Sequence, residues 1–162
     1  MNKAIFLDRD GIINNERGKY TYKIEDFTFV NGIIKNLISF QKAGFLLIII
    51  TNQGGIAKQV FNLSDFEKLN NYMLTELKKE NIEISDIYFC PHHSDLEKCI
   101  CRKPDSLMLE KAIAYYNIDP AKSYIIGDKL SDIEAGEKVG IKGFLVEPNV
   151  NIKYIVDKII TT

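Results

Sequence analysis

The chain has 162 residues, 46% hydrophobic and 27% charged, with a formal net charge of −1. That length and balance suit one globular domain over residues 1–162 with a substantial buried core. A charge this close to zero offers no basic field for nucleic acid or a membrane surface. The longest uninterrupted apolar run, residues 45–50, is far too short to span a bilayer. Asp8, Arg9 and Asp10 break the N-terminal apolar stretch that a signal peptide would need, so a cytoplasmic location is expected.

The first predicted element is a strand at residues 4–7, which runs straight into Asp8-Arg9-Asp10-Gly11. A buried strand ending in carboxylates carries chemistry at its C-terminal end, and residues i and i+2 of extended chain share a side. After an irregular stretch at 14–28, apolar spacing predicts a helix over 32–43 that Gly44 stops. A strand at 45–50 follows, then a helix over 64–80 opened by Ser64-Asp65-Phe66-Glu67, which reads as a capping box. A short strand at 87–89 leads into a second irregular stretch at 90–104, then a helix at 107–116. Strands at 123–126 and 143–146 and helices at 132–139 and 152–160 complete the chain. This alternation predicts an α/β fold: a doubly wound, Rossmann-like parallel sheet with helices on both faces. No insertion is large enough for a separate cap domain. Both irregular stretches leave carboxyl ends of strands, where such folds build their sites.

Four loops carry candidate chemistry. Asp8 and Asp10 suit a hard cation and phosphate. Thr51-Asn52-Gln53-Gly54-Gly55 offers a hydroxyl, amides and glycine-exposed N–H groups for a phosphate cradle; an ordinary polar turn is the competing reading. Arg102-Lys103-Pro104 supplies a guanidinium fork and an ammonium point charge, or else a solvated face. Gly127-Asp128-Lys129-Leu130-Ser131-Asp132 adds two carboxylates, with helix N-capping by Asp132 as the plainer role. Their recurrence after successive strands favours one shared site.

All three cysteines, Cys90, Cys99 and Cys101, lie in the second irregular stretch. An odd, clustered set argues for metal rather than disulfides. Three thiolates and one imidazole form a closed tetrahedral zinc set, with His92 and His93 as candidate nitrogens. A structural Zn²⁺ would pin loop 90–104, which delivers Arg102 and Lys103 just after its last ligand.

Taken together, these motifs resemble the haloacid dehalogenase superfamily of aspartyl-nucleophile phosphotransferases, over residues 4 to about 148. The resemblance implies that Asp8 is the nucleophile and Asp10 the general acid/base. It implies that Thr51 and Lys103 stabilise the transferred phosphoryl group. Mg²⁺ would be held by Asp8, the backbone carbonyl of Asp10 and Asp128, with Asp132 in an outer role. Ile12 stands where relatives usually carry threonine, at a position without a catalytic role.

A cysteine loop before Arg-Lys-Pro is similar to two branches, the heptose-bisphosphate phosphatases and the histidinol-phosphate phosphatases. The first strand's motif, Thr51-Asn52-Gln53-Gly54-Gly55-Ile56-Ala57 and Cys90-Pro91-His92-His93 favour the first branch, whereas the loop's length is nearer the second. The resemblance favours His92 as the ligand. It implies removal of the C7 phosphate of a heptose bisphosphate in nucleotide-heptose biosynthesis, with histidinol phosphate or another small sugar phosphate as the alternative. A phospho-aspartate signalling domain ranks below both, because the third strand leads into a cysteine loop with no acceptor. Loop placement nominates Glu16, Arg17, Gly18, Lys19, Asn52, Gln53, Arg102 and Lys129 as substrate-facing, although residues 16–19 also read as a mobile solvated loop. The expected partner is a small-molecule sugar phosphate, bound by a monomer.

Overall fold

A computed structural model describes residues 1–161; Thr162, the last residue of the expected domain, lies outside the described residues. The longest apolar run forms β2 (Phe45–Asn52), in which Leu47, Ile48, Ile49 and Ile50 are fully buried. A strand covered on both faces needs an unbroken apolar run rather than alternation. Beside it β1 (Lys3–Leu7) runs parallel, with Ile5 opposite Leu47 and Leu7 opposite Ile49. With β3 (Asp86–Cys90), β4 (Tyr124–Gly127) and β5 (Lys142–Leu145) they form one all-parallel sheet in the order β3-β2-β1-β4-β5.

The period of two along β1 sorts its side chains between two cores. Ile5 and Leu7 face the layer of α1 (Ile33–Lys42), α2 (Leu63–Lys79) and α5 (Lys153–Ile160), against Leu37, Leu69 and Ile155. Ala4 and Phe6 face α3 (Leu107–Tyr116) and α4 (Leu130–Glu137), against Met108, Leu109 and Ala135. Each large apolar side chain buried this way stabilises the fold by about 1.5–3 kcal/mol. The expected doubly wound architecture is the one observed. Between β1 and α1 lies only a short 3₁₀ turn (Ile24–Asp26), so no cap domain is inserted among the described residues.

Some boundaries differ from the sequence reading. Strand β2 runs on through Thr51 and Asn52, because β3 pairs with both, Thr51 opposite Phe89 and Asn52 opposite Cys90. Gly44 does follow the α1 cap, with φ +83°. The capping box of α2 is not Ser64–Glu67. Asn62 caps instead: its Oδ1 accepts from the Asp65 N–H at 2.9 Å, and the Asp65 carboxylate accepts from the Asn62 N–H at 3.0 Å. Nor is Asp132 the N-cap of α4. The helix starts two residues earlier, and Asp132 reaches back from its first turn to accept from the Lys129 N–H at 3.1 Å. In both cases the true cap lies where the chain leaves extended conformation, which side-chain type alone does not mark.

Replacing Asn62 by alanine should therefore cost about 1 kcal/mol of stability, while Ser64→Ala should be nearly neutral. Urea denaturation of the two variants checks this, and equal losses would restore the cap to Ser64.

Candidate active site

The strand order reverses direction between β1 and β4, and the crevice at their carboxyl ends is where a doubly wound sheet binds ligands. Asp8 leaves β1 there, its N–H still donating to Ile126 of β4 at 3.1 Å. Gly11 turns the chain back with φ +90°, and a Cβ on it would come within 2.7 Å of Asp128 Oδ2. Only glycine lets the DxD turn lie this close to the acid that follows β4.

Lys103 enters from the far end of the cysteine loop. Its Nζ donates to the Ile50 carbonyl at 2.7 Å and to Asp8 Oδ1 at 3.1 Å, and pairs with Asp132 Oδ1 at 2.6 Å. All three donors of the ammonium are spent on buried acceptors. Burial alone would lower the Lys103 pKa, but Asp8 and Asp132 reverse this and hold it above its ordinary value. The Lys103 backbone is held as well: its N–H donates to Asn52 Oδ1 at 3.0 Å, and Asn52 Nδ2 donates back to its carbonyl at 3.2 Å.

Asp8 and Asp10 sit in opposite electrostatic surroundings. Burial pushes Asp8 up to about 7 against the pull of Lys103, with Asp132, Asp10 and Asp128 adding to the rise. Asp10 is also buried, but Arg9 outweighs that and hydrogen bonds from Asn14 and Gln53 help hold it below the ordinary carboxylate range. Arg9 Nη2 donates to Asp10 Oδ1 at 2.9 Å and to the Thr21 carbonyl at 2.8 Å. Gln53 Nε2 donates to Asp10 Oδ2 at 3.0 Å and to Thr51 Oγ1 at 2.9 Å, tying the first two motifs together. Thr51 itself is fully buried.

Two clusters could hold cations. One oxygen each from Asp8, Asp128 and Asp132 lies within 4.8 Å of the others. Asp128 Oδ1 is buried without a hydrogen-bond partner, an orphaned acceptor that a hard cation would satisfy. Burial and Asp132 raise the Asp128 pKa despite Lys129, a shift that a bound cation would reverse. The Asp10 carboxylate is not in this cluster; its oxygens accept from Arg9, Asn14 and Gln53 instead. The second cluster is Cys90, His92, Cys99 and Cys101, whose donor atoms also lie within 4.8 Å of one another. His92 Nδ1 is 3.2 Å from Cys101 Sγ and 3.4 Å from Cys90 Sγ. Three thiols and an imidazole at this spacing suit zinc. Of the two histidines that the sequence left open, His92 joins the sulfurs, while His93 turns to the Asp95 N–H.

Comparison with known proteins agrees with this geometry. A family model described as HAD-hydrolase-like matches residues 100–154. A D-glycero-alpha-D-manno-heptose-1,7-bisphosphate 7-phosphatase of Campylobacter jejuni is 52% identical over 134 residues, covering 83% of this chain and 76% of its own. A D-glycero-beta-D-manno-heptose-1,7-bisphosphate 7-phosphatase of Haemophilus influenzae is 43% identical over 147 residues, covering 88% and 79%. The chain belongs to the haloacid dehalogenase superfamily, in the family of these 7-phosphatases. Among solved structures, the D,D-heptose 1,7-bisphosphate phosphatase of B. bronchiseptica, complexed with magnesium and phosphate, superimposes with a TM-score of 0.85 at 26% identity. The match covers 96% of this chain and 86% of that one.

In this phosphatase the carboxylates open into a cleft of about 930 Å³. Glu16, Gly18, Lys19, Asn52, Gln53, Arg102 and Lys129 line it. Arg17 does not: its guanidinium turns to Asp26 at 3.2 Å. The 16–19 loop is tethered rather than loose, since Asn149 pairs with the backbone of Glu16 in both directions, at 2.6 and 2.9 Å. Asn52 and Gln53 reach the cleft with amides already engaged by Lys103, Asp10 and Thr51. Sequence reasoning missed Tyr20, Thr21, His93 and Ser131 on the cleft wall, and Arg9 and Asn14 behind Asp10. A usable signal existed for Arg9, a cation between two aspartates after a buried strand. Tyr20 and Ser131 carry no such mark.

The raised Asp8 pKa has a sign that can be tested. Folding holds the proton on Asp8 between pH 3.8 and about 7. Its contribution to stability is therefore fully present below the lower value and lost as pH rises through the upper one. Without added divalent cation, Asp8→Asn should melt at a higher temperature than the parent at pH 8, with the gap closing toward pH 5. A parent that melts higher at pH 8 would contradict this.

Proposed function

We propose that this phosphatase removes the C7 phosphate of D-glycero-D-manno-heptose 1,7-bisphosphate through an aspartyl-phosphate on Asp8, with Mg²⁺ in the carboxylate cluster and Zn²⁺ in the cysteine loop. The observation that carries the reading is the convergence of Asp8, Lys103 and Asp128 at the strand-order reversal, beneath an uncapped cleft large enough for a sugar bisphosphate. Relatives named for heptose bisphosphates favour that branch over histidinol phosphate.

In this mechanism an ionised Asp8 oxygen attacks the C7 phosphorus and the bond to the sugar oxygen breaks. Asp10 gives that oxygen its proton, so the sugar leaves as an alcohol. Asp10 then takes a proton from water as it attacks the acyl phosphate, releasing inorganic phosphate and restoring Asp8. Free Asp10 is held ionised, and a phosphate dianion arriving beside it raises its affinity for the proton it must donate. Lys103 and the Thr51 hydroxyl stabilise charge on the transferred group. Mg²⁺ held by Asp8, Asp128 and the Asp10 main chain would neutralise repulsion between the phosphate and the acids. Asp132 holds Lys103 in place from the opposite side.

A primary phosphate on a flexible arm reaches Asp8 more readily than one fixed to a ring carbon. The C1 phosphate then stays at the rim, near Arg102. Thiol ligands need a reducing compartment, which supports a cytoplasmic location, and the reading is of one 162-residue domain acting as a monomer on a small molecule. Among the described residues no helix is long and apolar enough to cross a membrane.

Phosphorus NMR of the reaction should show the C1 phosphate retained and inorganic phosphate released. Arg102→Ala should cost about 1.5–3 kcal/mol in kcat/KM on the bisphosphate and far less on the 7-monophosphate. Loss of the C1 phosphate, or faster turnover of histidinol phosphate, would sink the substrate assignment.

Protein purified under reducing conditions without chelators should contain one zinc per chain. Cys99→Ser should release it and lower activity, because the same loop delivers Lys103 to Asp8. Metal analysis finding no zinc in the parent would refute that site.

A further inference from the structure

His93 follows a metal-ligand candidate but faces the cleft, and nothing in the mechanism above uses it. Its Nδ1 accepts the Asp95 backbone N–H at 3.1 Å and lies 3.5 Å from the Asp95 carboxylate, which is itself paired with Lys58 at 3.4 Å. The ring shares the cleft wall with Asp8 and Lys103, and its side chain is only 16% exposed. An imidazole whose Nδ1 accepts carries its proton on Nε2 when neutral, which makes it an oriented N–H donor. The ring's Cδ2 edge lies over Gly54, where a Cβ would come within 2.6 Å of it. The same Cβ would be 3.2 Å from Arg102 Nη1, which also donates to the His92 carbonyl at 3.1 Å. Gly54 thus marks the place where a histidine from the start of the cysteine loop meets an arginine from its end.

We infer that His93 is a specificity-determining residue: its Nε2–H, beside Arg102, holds the substrate phosphate that is not hydrolysed. The inference rests on the bisphosphate reading above. A phosphate dianion has three terminal oxygens, so it can accept from a guanidinium fork and an imidazole together. Arg102 supplies the charge, and His93 supplies a direction set by the Asp95 amide. Two donors presented by one loop fix where the distal phosphate rests, and hence which spacing between phosphates brings the other to Asp8. A monophosphate has no group for His93 to hold.

Steady-state kinetics of the parent, His93→Ala and His93→Gln on the heptose bisphosphate, the heptose 7-phosphate and an aryl phosphate test this, with metal content measured for each protein. His93→Ala should raise KM for the bisphosphate about tenfold or more, with kcat nearly unchanged. The other two substrates and the metal content should not respond. Glutamine carries an N–H close to the Nε2 position, so His93→Gln should regain most of the loss. Equal losses on all three substrates, or metal lost from His93→Ala, would assign the residue to loop architecture and overturn the inference. A parent without preference for the bisphosphate would overturn the substrate reading and the inference together. A parental preference undiminished in His93→Ala would overturn the inference alone.

Discussion

A buried ammonium is the interaction on which the rest of this site depends. Lys103 Nζ lies among Asp8, Asp132 and the Ile50 carbonyl, with almost no exposed surface. Removing a lysine charge from water costs several kcal/mol even after relaxation, so the position is tenable only with every donor satisfied and the Asp132 carboxylate paired with it. Those acceptors come from the ends of β1, β2 and the first turn of α4. One charge therefore holds three motifs in register, although they are scattered over the chain. Removing any one acceptor would leave a buried donor of the ammonium unpaired, so each of the three segments bears on the position of this one side chain.

The cysteine loop delivers that lysine. Strand β3 lies at the sheet edge and the segment after it has no helix or strand of its own until α3. Four donors converge in that segment, and a metal held by them would constrain it. Asn52 closes the arrangement from β2 by gripping the main chain of Lys103 in both directions. A cation in the loop would thus bear on catalysis through position, at a distance from the reacting atoms.

The two aspartates of the first motif are driven apart electrostatically, Asp8 toward its protonated form and Asp10 toward its ionised form. The proposed chemistry needs the reverse. A divalent cation beside Asp8 favours its ionised form, and a phosphate dianion beside Asp10 raises its proton affinity. In the proposed mechanism, protonation suited to attack would be assembled only with both bound, while Arg9, Asn14 and Gln53 hold Asp10 in orientation. Pairs of acids set in opposed environments are a general means of dividing two roles between like groups.

The doubly wound fold was legible because its signal is local. Apolar runs of strand length alternate with helical spacing, and Asp8, Lys103, Asp128 and the cysteines follow strand ends in an order that few folds share. Cap positions were less legible: Asn62 rather than Ser64 closes α2, because the cap belongs to the residue where backbone direction changes. Side-chain identity likewise determined that residues 90–104 could hold a metal, but not which histidine lies beside the sulfurs. Backbone direction through the loop decides this, sending His92 to the sulfurs and His93 to the cleft. Arg17 and Lys19, two residues apart in one polar loop, were indistinguishable until Asp26 drew the first away. Sequence by itself determined the residues able to do the chemistry. Tertiary structure decided which of them meet and which pairs offset one another's charge, since burial and hydrogen-bond direction depend on segments distant in the chain.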